Sequence, residues 1–220
     1  MELGLGAEII YSFVIIVSSL MIYFGTREIY ELSSYKGIKY FRRAFLFFAI
    51  AYFFRSFIKF ILLGFDSWEI YSVIPGRIFG AIAIFIFLYF SSMAIFYLLY
   101  GAMWRKWKGD KVKLVILNFL AIFIALASVL FVNRVVHLAI NILLLLFVIS
   151  IVYIAHKTKQ DNSRHNNFYI IYLLLLIFCI FNVLDILIPR FFQGLQLFGY
   201  LVSSGIFLII LYRVIKKSGR

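Results

Sequence analysis

The sequence predicts an all-α fold, a polytopic transmembrane bundle of seven helices, and three observations predict it. Of 220 residues, 65% are apolar, 20% aromatic and only 14% charged, against about 45–50% apolar and about 25% charged in soluble domains. The apolar residues gather into seven runs, each near the 20 or so residues that cross a hydrocarbon core about 30 Å thick. Lys and Arg gather between the runs, and mostly on alternate connections. A water-soluble globule could not be coated with so little polar surface. With 2 Pro, 13 Gly and a single Cys, collagen-like, disordered and disulfide-scaffold classes fail too. The lone Cys179 has no partner for an internal disulfide, so it says nothing about redox compartment.

The runs lie at about 7–24, 44–63, 77–100, 114–132, 135–155, 168–188 and 195–213. The first follows Met-Glu-Leu without a basic leader or a small-residue cleavage site, so it is expected to stay attached as a helix. Beyond it, Ile29, Leu32, Tyr35 and Ile38 recur at helical spacing. They predict that the helix runs past the membrane or that a short helix lies along its surface. The fourth and fifth runs are parted only by Asn133 and Arg134. One helix of that length would be about twice the bilayer thickness, so a tight hairpin is expected. All connections are short, and the whole of 1–220 is expected to be a single membrane domain with no soluble domain.

Orientation follows from the basic residues. Seventeen of the 22 lie on one side, in 25–43, 101–113, 156–167 and the tail. The other side has Arg77, Arg134 and Arg190, against Glu2, Glu8, Asp66 and Glu69. The N-terminus is therefore expected outside and the C-terminus in the cytoplasm, the protein being a multi-pass component of the cell membrane. The net charge of +13 has the same explanation, and nucleic acid is not an expected partner because no continuous basic face belongs to a folded domain. Trp104 and Trp107 among these charges are expected to anchor at the interface, and anionic lipids are the expected partner of the basic side.

The two halves of the chain share a faint pattern. Phe53-Phe54-Arg55 is similar to Ile180-Phe181-Asn182, and a proline follows in each half at Pro75 and Pro189. This suits a parallel three-plus-one-plus-three repeat, which at the level of fold resembles sugar-efflux transporters of the SWEET type.

In so apolar a chain, the polar groups at membrane depth carry the information, because each must find a partner or cost a few kcal/mol. The second run carries Arg55 and Lys59, four apart and so on one face. The sixth carries Asn182 and Asp185, with Cys179 a turn earlier. Counted from the cytoplasmic ends of the runs, Lys59 falls level with Asp185 and Arg55 level with Asn182. Asp185 is the expected counter-charge. Glu8 and Ser12, His137 and Asn141, and Gln196, Tyr200 and Ser203 form further stripes in the same half of the membrane. The opposite halves of the runs, such as Phe45–Phe54 and Leu173–Phe178, are almost wholly apolar. The expectation is a polar cup facing outward over an apolar plug, with Arg55, Lys59, Asn182, Asp185, His137, Asn141, Gln196 and Tyr200 lining a ligand site. Two cations with one acid favour an anionic or zwitterionic ligand.

Catalysis is poorly supported: there is no G-x-S-x-G, H-E-x-x-H or Walker loop, and only Ser12 with His137 offers a nucleophile and a base. The three histidines are scattered, so no metal or haem site is expected and no cofactor. Microbial rhodopsins hold retinal on a lysine in the seventh helix, and 195–213 has none. A non-enzymatic sensor or binding module, serving a separate cytoplasmic or membrane partner, is expected. A small transporter or channel, or a structural subunit of a membrane complex, is the alternative.

Overall fold

In a computed structural model of the chain, residues 2–33, 36–67, 76–107, 110–131, 133–161, 166–187 and 193–218 are described. Side chains at several helix ends, those of 58–67 among them, lie outside the described residues. So do the expectations resting on the side chains of Glu2, Lys59, Asp66, Glu69, Pro75, Arg77, Arg134, Pro189 and Arg190.

The described residues are helical almost throughout, with no strand among them. Seven long helices are α1 (Glu2–Ser33), α2 (Lys36–Ser67), α3 (Gly76–Ala102), α5 (Lys111–Leu130), α6 (Arg134–Asp161), α7 (Asn166–Leu187) and α8 (Gln193–Ser218). A single turn, α4 (Trp104–Trp107), follows α3. Six of the long helices are apolar and long enough to cross a membrane. The seventh, α2, carries Arg42 and Arg43 near one end and Arg55 and Lys59 further along, yet it packs side by side along both α1 and α3. The protein is a multi-pass membrane protein built as a helical bundle.

Its surface shows the same thing. On α1 the residues that point inward include Ser12, Ser18, Ser19 and Thr26, all buried, while Phe13 and Phe24 on the opposite face are each 64% exposed. That inversion suits hydrocarbon, where apolar side chains cost nothing outside and polar ones must turn in. On α5 the stripe Val112, Val115, Phe119, Phe123 and Leu130 is exposed in the same way.

Neighbours in the bundle follow chain order. α1 packs on α2, α2 on α3, α3 on α6, α6 on α7, α7 on α8, and α8 returns to α1, closing a ring. α5 stands outside it, laid against α3 through Leu117, Ala121, Ile124 and Ala125. The expected break between the fourth and fifth runs is real. Phe131 N–H closes the end of α5 on Ala127 O, and the Asn133 carboxamide accepts from Val135 N–H at 3.0 Å to start α6. The hairpin is splayed, though, because α5 and α6 touch only slightly. Ser128 Oγ to His137 Nδ1 at 3.0 Å and Tyr89 OH to Asn118 Oδ1 at 3.0 Å tie α5 to α6 and to α3.

Two ends can be told apart. The starts of α1, α3, α6 and α8 and the ends of α2, α5 and α7 form what we term the cup end. The opposite, basic end carries the exposed Lys36, Lys39, Arg43, Lys106, Lys111, Lys157 and Lys216. As expected, α1 runs on beyond its apolar segment, to Ser33. At this end α2 and α3 approach closely, since a Cβ on Gly101 would come within 3.1 Å of Gly37 O. Tyr40 then sits among Tyr97, Tyr100 and Trp104, with ring centroids at 5.8, 4.5 and 5.2 Å. Trp104 and Trp107 therefore do more than mark an interface: both are half-buried against the Tyr100 ring.

Candidate ligand-binding cup

The cup begins with Arg55. Its position on α2 turns it into the ring, and its guanidinium meets a carboxylate from α1: Nη2 and Nε donate to Glu8 Oε1 at 3.0 and 3.2 Å. A second carboxylate, Asp185 on α7, lies 3.8 Å from the same Nη2. The guanidinium also rests over the rings of Tyr11, Tyr52 and Phe87, each centroid 5.7–5.8 Å away. Burial makes these contacts matter, because a charge among aromatic rings and helices has little water to fall back on.

This corrects two expectations. For Arg55, Asp185 is not the nearest counter-charge: Glu8 is nearer, and it is almost fully buried, at 7% exposure. The pairing also differs by about one turn: the side chain of Arg55 reaches Asp185, and that of Tyr52 reaches Asn182. The apolar run of α2 starts well inside a helix that begins at Lys36, so counting from the edge of the run misplaces its residues. Lys59 follows one turn beyond Arg55 on the same face, with its side chain outside the described residues.

Below the charges runs a chain of hydroxyls. Tyr11 and Tyr52 share a hydrogen bond at 3.0 Å, and Tyr52 OH donates a long one, 3.5 Å, to Asn182 Oδ1. The Asn182 amide donates back to Phe178 O on its own helix at 3.2 Å. Tyr200 of α8 stacks on Tyr11 with centroids 4.8 Å apart.

Beside this cluster, α1, α2, α3, α6 and α7 enclose a cavity of about 370 Å³. Its polar wall holds Arg55, Glu8, Asp185, Asn182, His137 and Asn141, and its apolar wall includes Phe48, Phe87, Leu144 and Phe178. His137 is half-occupied by its contact with Ser128, and Asn141 donates to His137 O at 2.8 Å. Gln196 and Tyr200 line a second, smaller cavity on the other side of α7. Five of the eight expected site residues thus surround one cavity and two more the next.

The floor is aromatic. Phe178 and Phe207 lie 4.9 Å apart, Phe48 is 6.3 and 6.0 Å from them, and Phe45 closes the group at 6.0 Å from Phe48. All four are buried, together with Ile151, Leu175 and Ile210. The expected apolar plug is this layer. Among the described residues, no three His, Cys, Asp or Glu side chains converge as metal ligands.

Tyr11, Tyr52 and Phe87 are residues that site reasoning from sequence passes over, and Glu8, placed in a polar stripe of the same half, is left out of the site. Glu8 and Tyr11 are three apart, as are Tyr52 and Arg55. That shared spacing was a usable signal, hidden by the abundance of aromatic residues.

An uncharacterised protein of Archaeoglobus fulgidus is 31% identical over 217 residues, covering 97% of this chain and 93% of the relative. The two chains belong to one family. No protein-family model matches the chain. No solved structure matches it either.

Proposed function

We propose that the chain is a non-enzymatic ligand-binding or sensing module of the cell membrane, with its N-terminus outside and its cup open outward. The observation that carries this reading is the cavity of about 370 Å³ with a buried Arg55–Glu8–Asp185 cluster on one wall and a phenylalanine floor. That volume is at the lower end of small-molecule sites, about 300–1,000 Å³. The mixed lining fits a compact ligand with a charged group and an apolar part.

The ligand is zwitterionic. Among the described residues two carboxylates flank the one guanidinium of Arg55, so a simple anion would meet nearby like charges. A zwitterion brings both charges. Its carboxylate or phosphate takes two-pronged contacts from Arg55, and its ammonium compensates Glu8 and Asp185. Asn182, His137 and Asn141 orient it.

Small transport is the second reading, favoured by charged residues inside a membrane, which commonly mark solute paths. The floor argues for the module, as among the described residues no Asp, Glu, Lys, Arg or His belongs to the buried core around its phenylalanines. A separate cytoplasmic partner would read the exposed basic end, which anionic lipids would also hold.

The test is equilibrium binding of phosphocholine and of α-amino acids to the purified chain, paired with flux into proteoliposomes. Binding without flux supports the module and flux supports the transporter. Neither, with the cup filled by side chains, makes the chain a structural subunit. Orientation is tested with cysteines at positions 68 and 108. An impermeant thiol reagent on intact cells should label 68 and spare 108, and the reverse would overturn the topology.

A further inference from the structure

Asn182 and Asp185 face two cavities. On the far side of α7, a slot of about 160 Å³ between α1, α7 and α8 is lined by these two residues and by Tyr11, Phe181, Gln196 and Tyr200. α7 and α8 meet over a shorter interface than α8 shares with α1 or α7 with α6. The slot therefore lies at the loosest neighbour contact on that side of the ring.

Its lining changes character from outside to inside. Leu184, Leu195 and Phe198 on the lip are exposed large apolar residues, which in a bilayer face acyl chains. On the inner wall, Tyr200 stacks on Tyr11, whose hydroxyl bonds Tyr52 of the larger cavity. Between them stands Gly199, where a Cβ would lie 3.8 Å from Phe181 Cδ1. An alanine would fit there, and a large side chain would occupy the slot. A water-soluble solute gains nothing from the lip, and a plain hydrocarbon gains nothing from the inner wall. Lip and wall together suit a molecule with both kinds of surface.

We infer that the slot is a lateral entrance from the bilayer, and that the cup's ligand is a single-chain zwitterionic amphiphile. Its head rests at Asn182 and Asp185, the residues common to both cavities, with Arg55 3.8 Å from Asp185, while its chain lies in the slot against Phe181, Leu184 and Phe198. This rests on reading the cup as a ligand site, and it adds the route and the tail.

The experiment measures retention of tritiated lysophosphatidylcholine by the purified full-length chain in maltoside micelles, with phosphocholine as the head without a chain. The series is Gly199→Ala, Gly199→Leu and Gly199→Trp, with Arg55→Lys alongside. Filling the slot should weaken lysophosphatidylcholine progressively, to about tenfold or more for Trp and less than about twofold for Ala. Phosphocholine should bind more weakly throughout and ignore position 199. If the Trp variant does not fold, as judged by its melting temperature, the Leu variant carries the comparison. Unchanged retention in a folded Leu or Trp variant overturns the lateral entrance. Phosphocholine binding as tightly as lysophosphatidylcholine removes the tail and leaves the cup intact. If neither probe binds, or Arg55→Lys binds both as the wild type does, the cup itself fails as a ligand site.

Discussion

At the cup end α2 meets its neighbours through charge and hydroxyls; at the basic end the same helix meets α3 through rings and glycine. Arg55 is held by Glu8 at 3.0 Å and lies beside Asp185, with open volume next to them. Tyr40 is wedged among Tyr97, Tyr100 and Trp104, and Gly101 lets the two backbones come together. The numerous cations of the basic end sit at its rim, where long side chains reach water. Among the described residues, the charges of the cup end, Arg55, Glu8 and Asp185, are turned inward, where each must be matched. Rings fill space and leave no room for a ligand. A cluster of directional polar contacts fixes its members at set distances and leaves a cavity beside them. The end proposed to bind a ligand is the one that keeps a cavity beside its polar contacts.

The largest effect should come from the ion pair. Glu8→Ala strands Arg55 beside a more distant carboxylate and should cost about 3–5 kcal/mol. Asp185→Ala should cost less, about 1–3 kcal/mol, because it lies farther from Arg55 and is less enclosed. Unfolding of both variants in bicelles gives the order, and a larger loss for Asp185→Ala would restore it as the main counter-charge.

The floor comes next. Phe207→Ala removes a fully buried ring that touches Phe45, Phe48 and Phe178, and a loss of about 3 kcal/mol is expected. It should also raise proton leak through liposomes carrying the protein. An unchanged leak would mean that the seal lies elsewhere.

Smaller effects separate the two ends. Tyr40→Ala should lower stability by about 2 kcal/mol while leaving ligand affinity alone. Tyr52→Phe should cost only about 1 kcal/mol but disturb binding, because its hydroxyl links Tyr11 to Asn182. If Tyr40→Ala weakened binding as strongly as Tyr52→Phe, the division between a binding end and a packing end would collapse.

The bundle and its polar end were legible in the sequence because lipid enforces a simple rule: long apolar runs become helices, and polar residues within them face inward. Arg55, Asn182, Asp185, His137 and Asn141 converge for that reason. The pairing within the cluster was not legible. Glu8 looked like one more stripe residue near the start of the chain, and its partnership with Arg55 depends on how α1 leans on α2. Nor could the outlying place of α5 be read, since its apolar composition is the same whether it faces lipid or helices. Trp104 and Trp107 sit where interfacial anchors belong, and only the turn of α4 brings them onto Tyr100.

The most direct measurement is a high-resolution map of the full-length chain in nanodiscs with a saturating zwitterionic probe such as phosphocholine. Density for the probe is expected between Arg55, Asn182 and His137, with Glu8 still paired to Arg55 and the phenylalanine floor closed beneath. A cup collapsed and filled by its own side chains, with Arg55 turned away from the ring, would contradict that expectation.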